Sequence, residues 1–102
     1  LDALKVDLNA DDERASAFKR DYRRVKAMPN HGKDVDVLLF TVLAALLADE
    51  PLPEHHRDHA LTGNWSRYRE CHVKPDLLLI YRKPDSKTLR LARLGSHSEL
   101  FG

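Results

Sequence analysis

Tyr68-Arg69-Glu70-Cys71-His72-Val73-Lys74-Pro75-Asp76-Leu77-Leu78-Leu79-Ile80-Tyr81 is the stretch on which the fold turns. Its first half has a period of two, so Tyr68, Glu70 and His72 face one way and Arg69, Cys71 and Val73 the other. Lys74-Pro75-Asp76 supplies a turn. The apolar run from Leu77 to Tyr81 is too short for a helix and is bounded by turn signals. It predicts a strand buried on both faces in mid-sheet. Downstream, Lys83-Pro84-Asp85-Ser86-Lys87 predicts a hairpin loop. Thr88 to Leu94 follows as a strand with Leu89, Leu91 and Arg93 on one face, and Gly95 breaks it.

Upstream the period lengthens. Val35, Leu38, Leu39, Val42, Leu43, Leu46 and Leu47 form one broad stripe at three-four spacing, which predicts a core helix capped by Asp34 and stopped by Pro51 and Pro53. Ala15, Phe18, Tyr22, Val25 and Met28 step by three or four and predict an earlier helix, capped by Asn9 or Asp11 and ended by Met28-Pro29-Asn30-His31-Gly32. Leu4, Val6 and Leu8 alternate as a first strand. Glu54 to Asn64 is irregular and polar, a loop or short strand. The sum is an α+β fold of two layers, strand-helix-helix followed by an antiparallel three-strand meander, in one domain over residues 1–102.

Composition bounds the function. At 102 residues with 42% hydrophobic and 32% charged residues, the chain is an ordinary globular sequence with room for one core. The longest nearly uncharged run, Val37 to Ala48, is far shorter than the roughly 20 residues of a membrane helix. The single cysteine, Cys71, excludes an internal disulfide and a cysteine-based zinc site, so a cytoplasmic location is expected. The net charge of +1 conceals segregation, with seven bases and one acid over residues 14–33 and eight bases and three acids over 65–93, separated by an acidic helix. Such a chain can offer a cationic face to a polyanion.

Of the six histidines, two gain meaning from position. His72 and Asp76 flank the tight turn, while Arg93 and His97 flank Gly95. In an antiparallel meander the start of the Leu77 strand and the end of the Thr88 strand lie at the same end, so His72, Asp76, Arg93 and His97 are expected at one rim. Two imidazoles with a carboxylate and a guanidinium suit phosphodiester cleavage. One group takes the proton of a ribose 2'-hydroxyl, another protonates the leaving 5'-oxygen, and a cation meets the charge on phosphate. A structural reading of the same residues has Asp76 capping the turn and Arg93 pairing with an acid. Zinc at His55, His56 and His59 would need a helix in a Pro-flanked stretch, so no metal or cofactor is expected.

These runs, with His59-Ala60-Leu61-Thr62-Gly63-Asn64-Trp65 and Leu91-Ala92-Arg93-Leu94-Gly95-Ser96-His97-Ser98-Glu99-Leu100-Phe101-Gly102, resemble the YafQ branch of the RelE/ParE toxin superfamily. The resemblance implies a microbial RNase-like (RelE-like) fold and a ribosome-dependent messenger RNA endonuclease, the toxin of a type II toxin-antitoxin pair. It implies catalytic roles for His59, His72, Asp76 and His97, a phosphate-binding Arg93 and a terminal aromatic, Phe101. Only the resemblance brings in His59. Where some members carry Trp after the catalytic acid, this chain has Leu77, and its segment before Phe18 is longer and more acidic. Lys19, Arg20, Arg23 and Arg24 would hold ribosomal RNA through phosphate contacts. The implied partners are a cognate antitoxin, the ribosome with its mRNA, and operator DNA through the antitoxin complex alone. No membrane is implied. A gyrase inhibitor of the ParE type, lacking the polar rim, is the rival reading on the same fold.

Overall fold

The computed structural model describes residues 5–7, 13–85 and 88–102. In chain order the elements are β1 (Lys5–Asp7), α1 (Glu13–Lys26), α2 (Val35–Leu47), β2 (His59–Ala60), β3 (Arg69–Lys74), β4 (Leu77–Asp85), β5 (Thr88–Gly95) and α3 (His97–Phe101). One sheet takes all five strands in the order β1-β5-β4-β3-β2. The meander β3-β4-β5 is antiparallel as expected, and it is extended on one side by β2, antiparallel to β3, and on the other by β1, parallel to β5. The expected caps Asn9 and Asp11, the residues Leu4 and Leu8, and the loop residues Ser86 and Lys87 lie outside the described residues.

The core lies where the helices meet one face of the sheet. Phe18 and Val25 of α1 and Val35, Leu39, Val42 and Leu46 of α2 pack with Cys71, Val73, Leu77, Leu79, Tyr81, Leu89, Leu91 and Leu94. Leu77 to Tyr81 are all at most 2% exposed, as a central strand requires. Asp34 precedes α2, but its carboxylate caps nothing. It instead accepts from Lys74 Nζ at 3.1 Å, tying the helix start to the β3–β4 turn. Lys26 and Tyr22 of α1 both bond the Asp36 carboxylate, which joins the two helices.

The observed strands depart from the expected ones in two places. β4 runs through Lys83 and Pro84 to Asp85, so the expected hairpin loop is partly strand. In β5, Ile80 pairs with Arg93 and Tyr81 with Leu91, which leaves Ala92 as an extra residue. The bulge reverses the alternation, so Arg93 does not share the face of Leu89 and Leu91.

Cys71 is fully buried, and burial pushes its thiol up to about 12. A thiolate is the reactive form, so the native protein should not react with a disulfide reagent near neutral pH and should react once unfolded. Rapid labelling of the native chain would place Cys71 outside the core.

Candidate active site

Sequence dictates a rim where the β3–β4 turn meets the end of β5. His72 in β3, Pro75 and Asp76 in the turn, Leu78 in β4, and Ser96, His97 and Ser98 after β5 line one hollow of about 430 Å³. Of the expected rim residues, the structure therefore brings together His72, Asp76 and His97. His72 and Pro75 also border a second hollow, lined further by His55 and Arg57.

His97 is positioned by a short helix that begins with a capping box. The Ser96 hydroxyl accepts the Glu99 N–H at 3.2 Å, and the Glu99 carboxylate accepts the Ser96 N–H at 2.8 Å. That Ser96 bond, helped by Arg24, holds the Glu99 carboxyl below its ordinary value despite some desolvation. Gly95 permits the close approach, since a Cβ there would stand 2.8 Å from the Arg24 guanidinium and 3.0 Å from Glu99 Oε1. His97 is exposed and lies against the Phe101 ring one turn later, with centroids 5.1 Å apart. Phe101 is itself exposed, which leaves ring surface for a base.

His72 points its Nδ1 at the Pro75 carbonyl, 3.2 Å away. A carbonyl can only accept, so Nδ1 carries the proton in the neutral ring and the lone pair sits on Nε2. Asp76 is well exposed, and its Oδ2 lies 3.8 Å from Nε2 of the buried His31.

His59 stands apart from the hollow, on β2 across from Glu70. The chain reaches it through a 3₁₀ turn at Glu54–His56 and a left-handed residue, Arg57, at φ 48°. The His59 Nδ1–H donates to the Arg57 carbonyl at 2.7 Å, and His56 donates to the His72 carbonyl at 2.7 Å. Asp58, between them, accepts from the Tyr81 hydroxyl at 2.6 Å and from Arg69 at 3.2 Å. Burial and the Asp58 bond push the Tyr81 hydroxyl up. The segment that carries His59 is thereby pinned to the sheet.

Arg93 is not at the rim hollow. Its Nε and Nη2 donate to the Asp21 carboxylate of α1 at 2.6 and 3.2 Å. Among the described residues the pairing with β1 reaches Arg90, and further along β5 Asp21 also accepts the Leu94 N–H at 3.0 Å. Arg24 adds a third donor at 2.8 Å. Burial raises the Asp21 carboxyl, but the Arg93, Leu94 and Arg24 bonds outweigh it and hold the group below its ordinary value. Arg24 also donates to the Leu94 carbonyl at 3.0 Å and pairs with Glu99 at 3.2 Å. It ties α1 to α3. Arg20 and Arg23 are exposed. Lys19 and Arg23 edge an apolar groove between α1 and α2 lined by Phe18, Tyr22, Leu39 and Leu43.

With this geometry, residues 11–102 match the family described as bacterial toxin of type II toxin-antitoxin system, YafQ. The chain belongs to the YafQ family. The mRNA interferase toxin YafQ of Escherichia coli is 37% identical over 95 residues, covering 93% of this chain and 99% of the relative. The crystal structure of YafQ from Escherichia coli superimposes with a TM-score of 0.77 at 31% identity, over 97% of this chain and 99% of that one. A chain of the Escherichia coli DinJ-YafQ toxin-antitoxin complex gives 0.77 at 32% identity, over 98% and 99%. The α+β fold expected from the pattern is thus that of solved YafQ toxins. The spacing argument did not reach His31, beside Asp76, or Glu70, beside His72. Glu70 carried a signal, since its alternation puts it on the face of His72.

Proposed function

We propose that this YafQ-family chain is a ribosome-dependent endoribonuclease that cuts mRNA by metal-independent acid-base catalysis. The observation that carries the reading is one hollow bordered by His72, Asp76 and His97. His72 Nε2 takes the proton of a ribose 2'-hydroxyl as its oxygen attacks the adjacent phosphorus. The bond from phosphorus to the 5'-oxygen breaks, and protonated His97 gives its proton to that oxygen. The products are a 2',3'-cyclic phosphate and a 5'-hydroxyl end. Asp76, at the mouth, orients an imidazole or shares its proton. Arg93 lies outside the hollow, held 2.6 Å from Asp21, and its part is that of a fixed positive charge at the end of β5 that draws the phosphate at longer range. His59 completes the polar set from the β2 side, and Phe101 stacks on a base.

The bases of α1, the exposed Arg20 and Arg23 with the partly exposed Lys19 and Arg24, supply phosphate contacts to ribosomal RNA, which give affinity without sequence choice. A cognate antitoxin, as in the DinJ-YafQ assembly of the relative, restrains the toxin and carries it to operator DNA. No helix among the described residues is long and apolar enough to cross a membrane.

Sedimentation with message-loaded ribosomes at two salt concentrations tests the reading. Binding should fall at least tenfold on a fourfold rise in salt, as several phosphate contacts require. Free RNA should be cut poorly, and the ends formed on ribosomes should be cyclic phosphate and 5'-hydroxyl. Salt-insensitive binding, or efficient cutting of naked RNA, overturns ribosome dependence.

A further inference from the structure

Glu70 is 5% exposed, in the second position of β3. Burying a carboxylate costs free energy unless donors compensate it. Here the basic side chains within 4 Å of it, among the described residues, are two imidazoles that meet the same oxygen. Oε1 is 3.6 Å from His59 Nε2 and 3.9 Å from His72 Nε2. Both distances exceed a hydrogen bond, so neither ring is committed to Glu70. The strand pairing explains the meeting, since His59 lies opposite Glu70 and His72 is two residues further along the same face.

The remaining ring atoms make the arrangement directional. Each Nδ1 is held by a backbone carbonyl, Arg57 for His59 and Pro75 for His72. Both Nε2 atoms therefore carry the lone pair and face one buried negative charge. A proton arriving at Nε2 of His72, the less exposed of the two rings, creates an imidazolium beside that charge where screening by water is reduced.

We propose that Glu70 is a positioning residue for the nuclease reaction, the counter-charge that stabilises the imidazolium formed on His72 when it takes the 2'-hydroxyl proton. The inference rests on the nuclease reading of the rim hollow. It gives a reason for a buried acid that packing alone does not need. It also links the β2 histidine to a hollow it does not line, because both rings answer to one carboxylate. The division of labour is that of an acid behind a catalytic imidazole, which orients the ring and stabilises its charged form without itself being protonated.

The test uses Glu70→Gln, which keeps shape and removes charge, with Glu70→Asp, which keeps charge on a shorter stem. Single-turnover cleavage of ribosome-bound message, its KM and the melting temperature are read for each. Expected for Glu70→Gln is a fall in rate of at least about tenfold, KM within twofold, and a melting temperature at or above that of the wild type. Glu70→Asp should recover part of the rate. In a His72→Gln background, Glu70→Gln should cost much less than it does alone, since it acts through that ring. A wild-type rate for Glu70→Gln, full additivity with His72→Gln, or a rate loss matched by a fall in melting temperature would overturn the inference. Wild-type cleavage by His72→Gln and His97→Ala together would overturn the nuclease reading instead.

Discussion

Replacing His97 with alanine is expected to lower single-turnover cleavage of ribosome-bound message at least about 100-fold, equivalent to about 2.7 kcal/mol of transition-state stabilisation. Growth arrest on induction should disappear with it. The side chain is exposed, and its ring contact is Phe101 within the same short helix. The capping box that holds this helix uses Ser96 and Glu99, not the imidazole. Melting temperature, ribosome sedimentation and antitoxin binding should therefore stay near wild type. His97→Gln should fail as well, because an amide hydrogen-bonds but does not titrate near neutral pH. Near-normal cleavage by His97→Gln would leave this residue a positioning role alone.

Asp21→Asn is expected to give the largest loss of stability, roughly 3–5 kcal/mol, because it strips the counter-charge from a buried hub. Asp21 is 4% exposed and accepts from Arg93, Arg24 and the Leu94 N–H. For a domain of this size that loss lowers the melting temperature by about 15 °C or more. Calorimetry of the two proteins from pH 7 downward carries a second signature. The native carboxyl is held below the unfolded value of 3.8, so its contribution is complete above that value and is lost as pH falls through the native one. The two stability curves should thus run parallel near neutrality and converge in acid. A variant within about 1 kcal/mol of wild type at pH 7 would show that the hub adds little to the fold.

Much of this architecture is legible from periodicity, because the core helix and the central strand each bury a continuous apolar set that any correct fold must cover. Leu77 to Tyr81 and the stripe from Val35 to Leu46 are of this kind. The first strand's partner is not legible, since the parallel pairing of β1 with β5 closes a loop across nearly the whole chain. The site divides in the same way. His72, Asp76 and His97 come from turns that can be counted along the chain. Arg93 does not, because one inserted residue, Ala92, turns its side chain away from the expected face and the waiting acid lies 72 residues earlier. The contacts of Arg24 are hidden for a related reason. On a helical wheel it is one more base, and only the fold places Asp21, Glu99 and the Leu94 carbonyl around it.

The two faces of the sheet give tolerance to substitution a phase. In β3 the odd positions, Cys71 and Val73, belong to the core under the helices, whereas the even positions, Glu70 and His72, lie on the other face, beside each other. In β4 the odd positions Leu77, Leu79 and Tyr81 serve the same core. In β5 the core residues are Leu89, Leu91 and then Leu94, so the rhythm slips by one at Ala92. A saturation scan read out separately for abundance and for toxicity should show two interleaved combs along the sheet. Their teeth should change places at Ala92, which would let a purely genetic experiment locate the bulge.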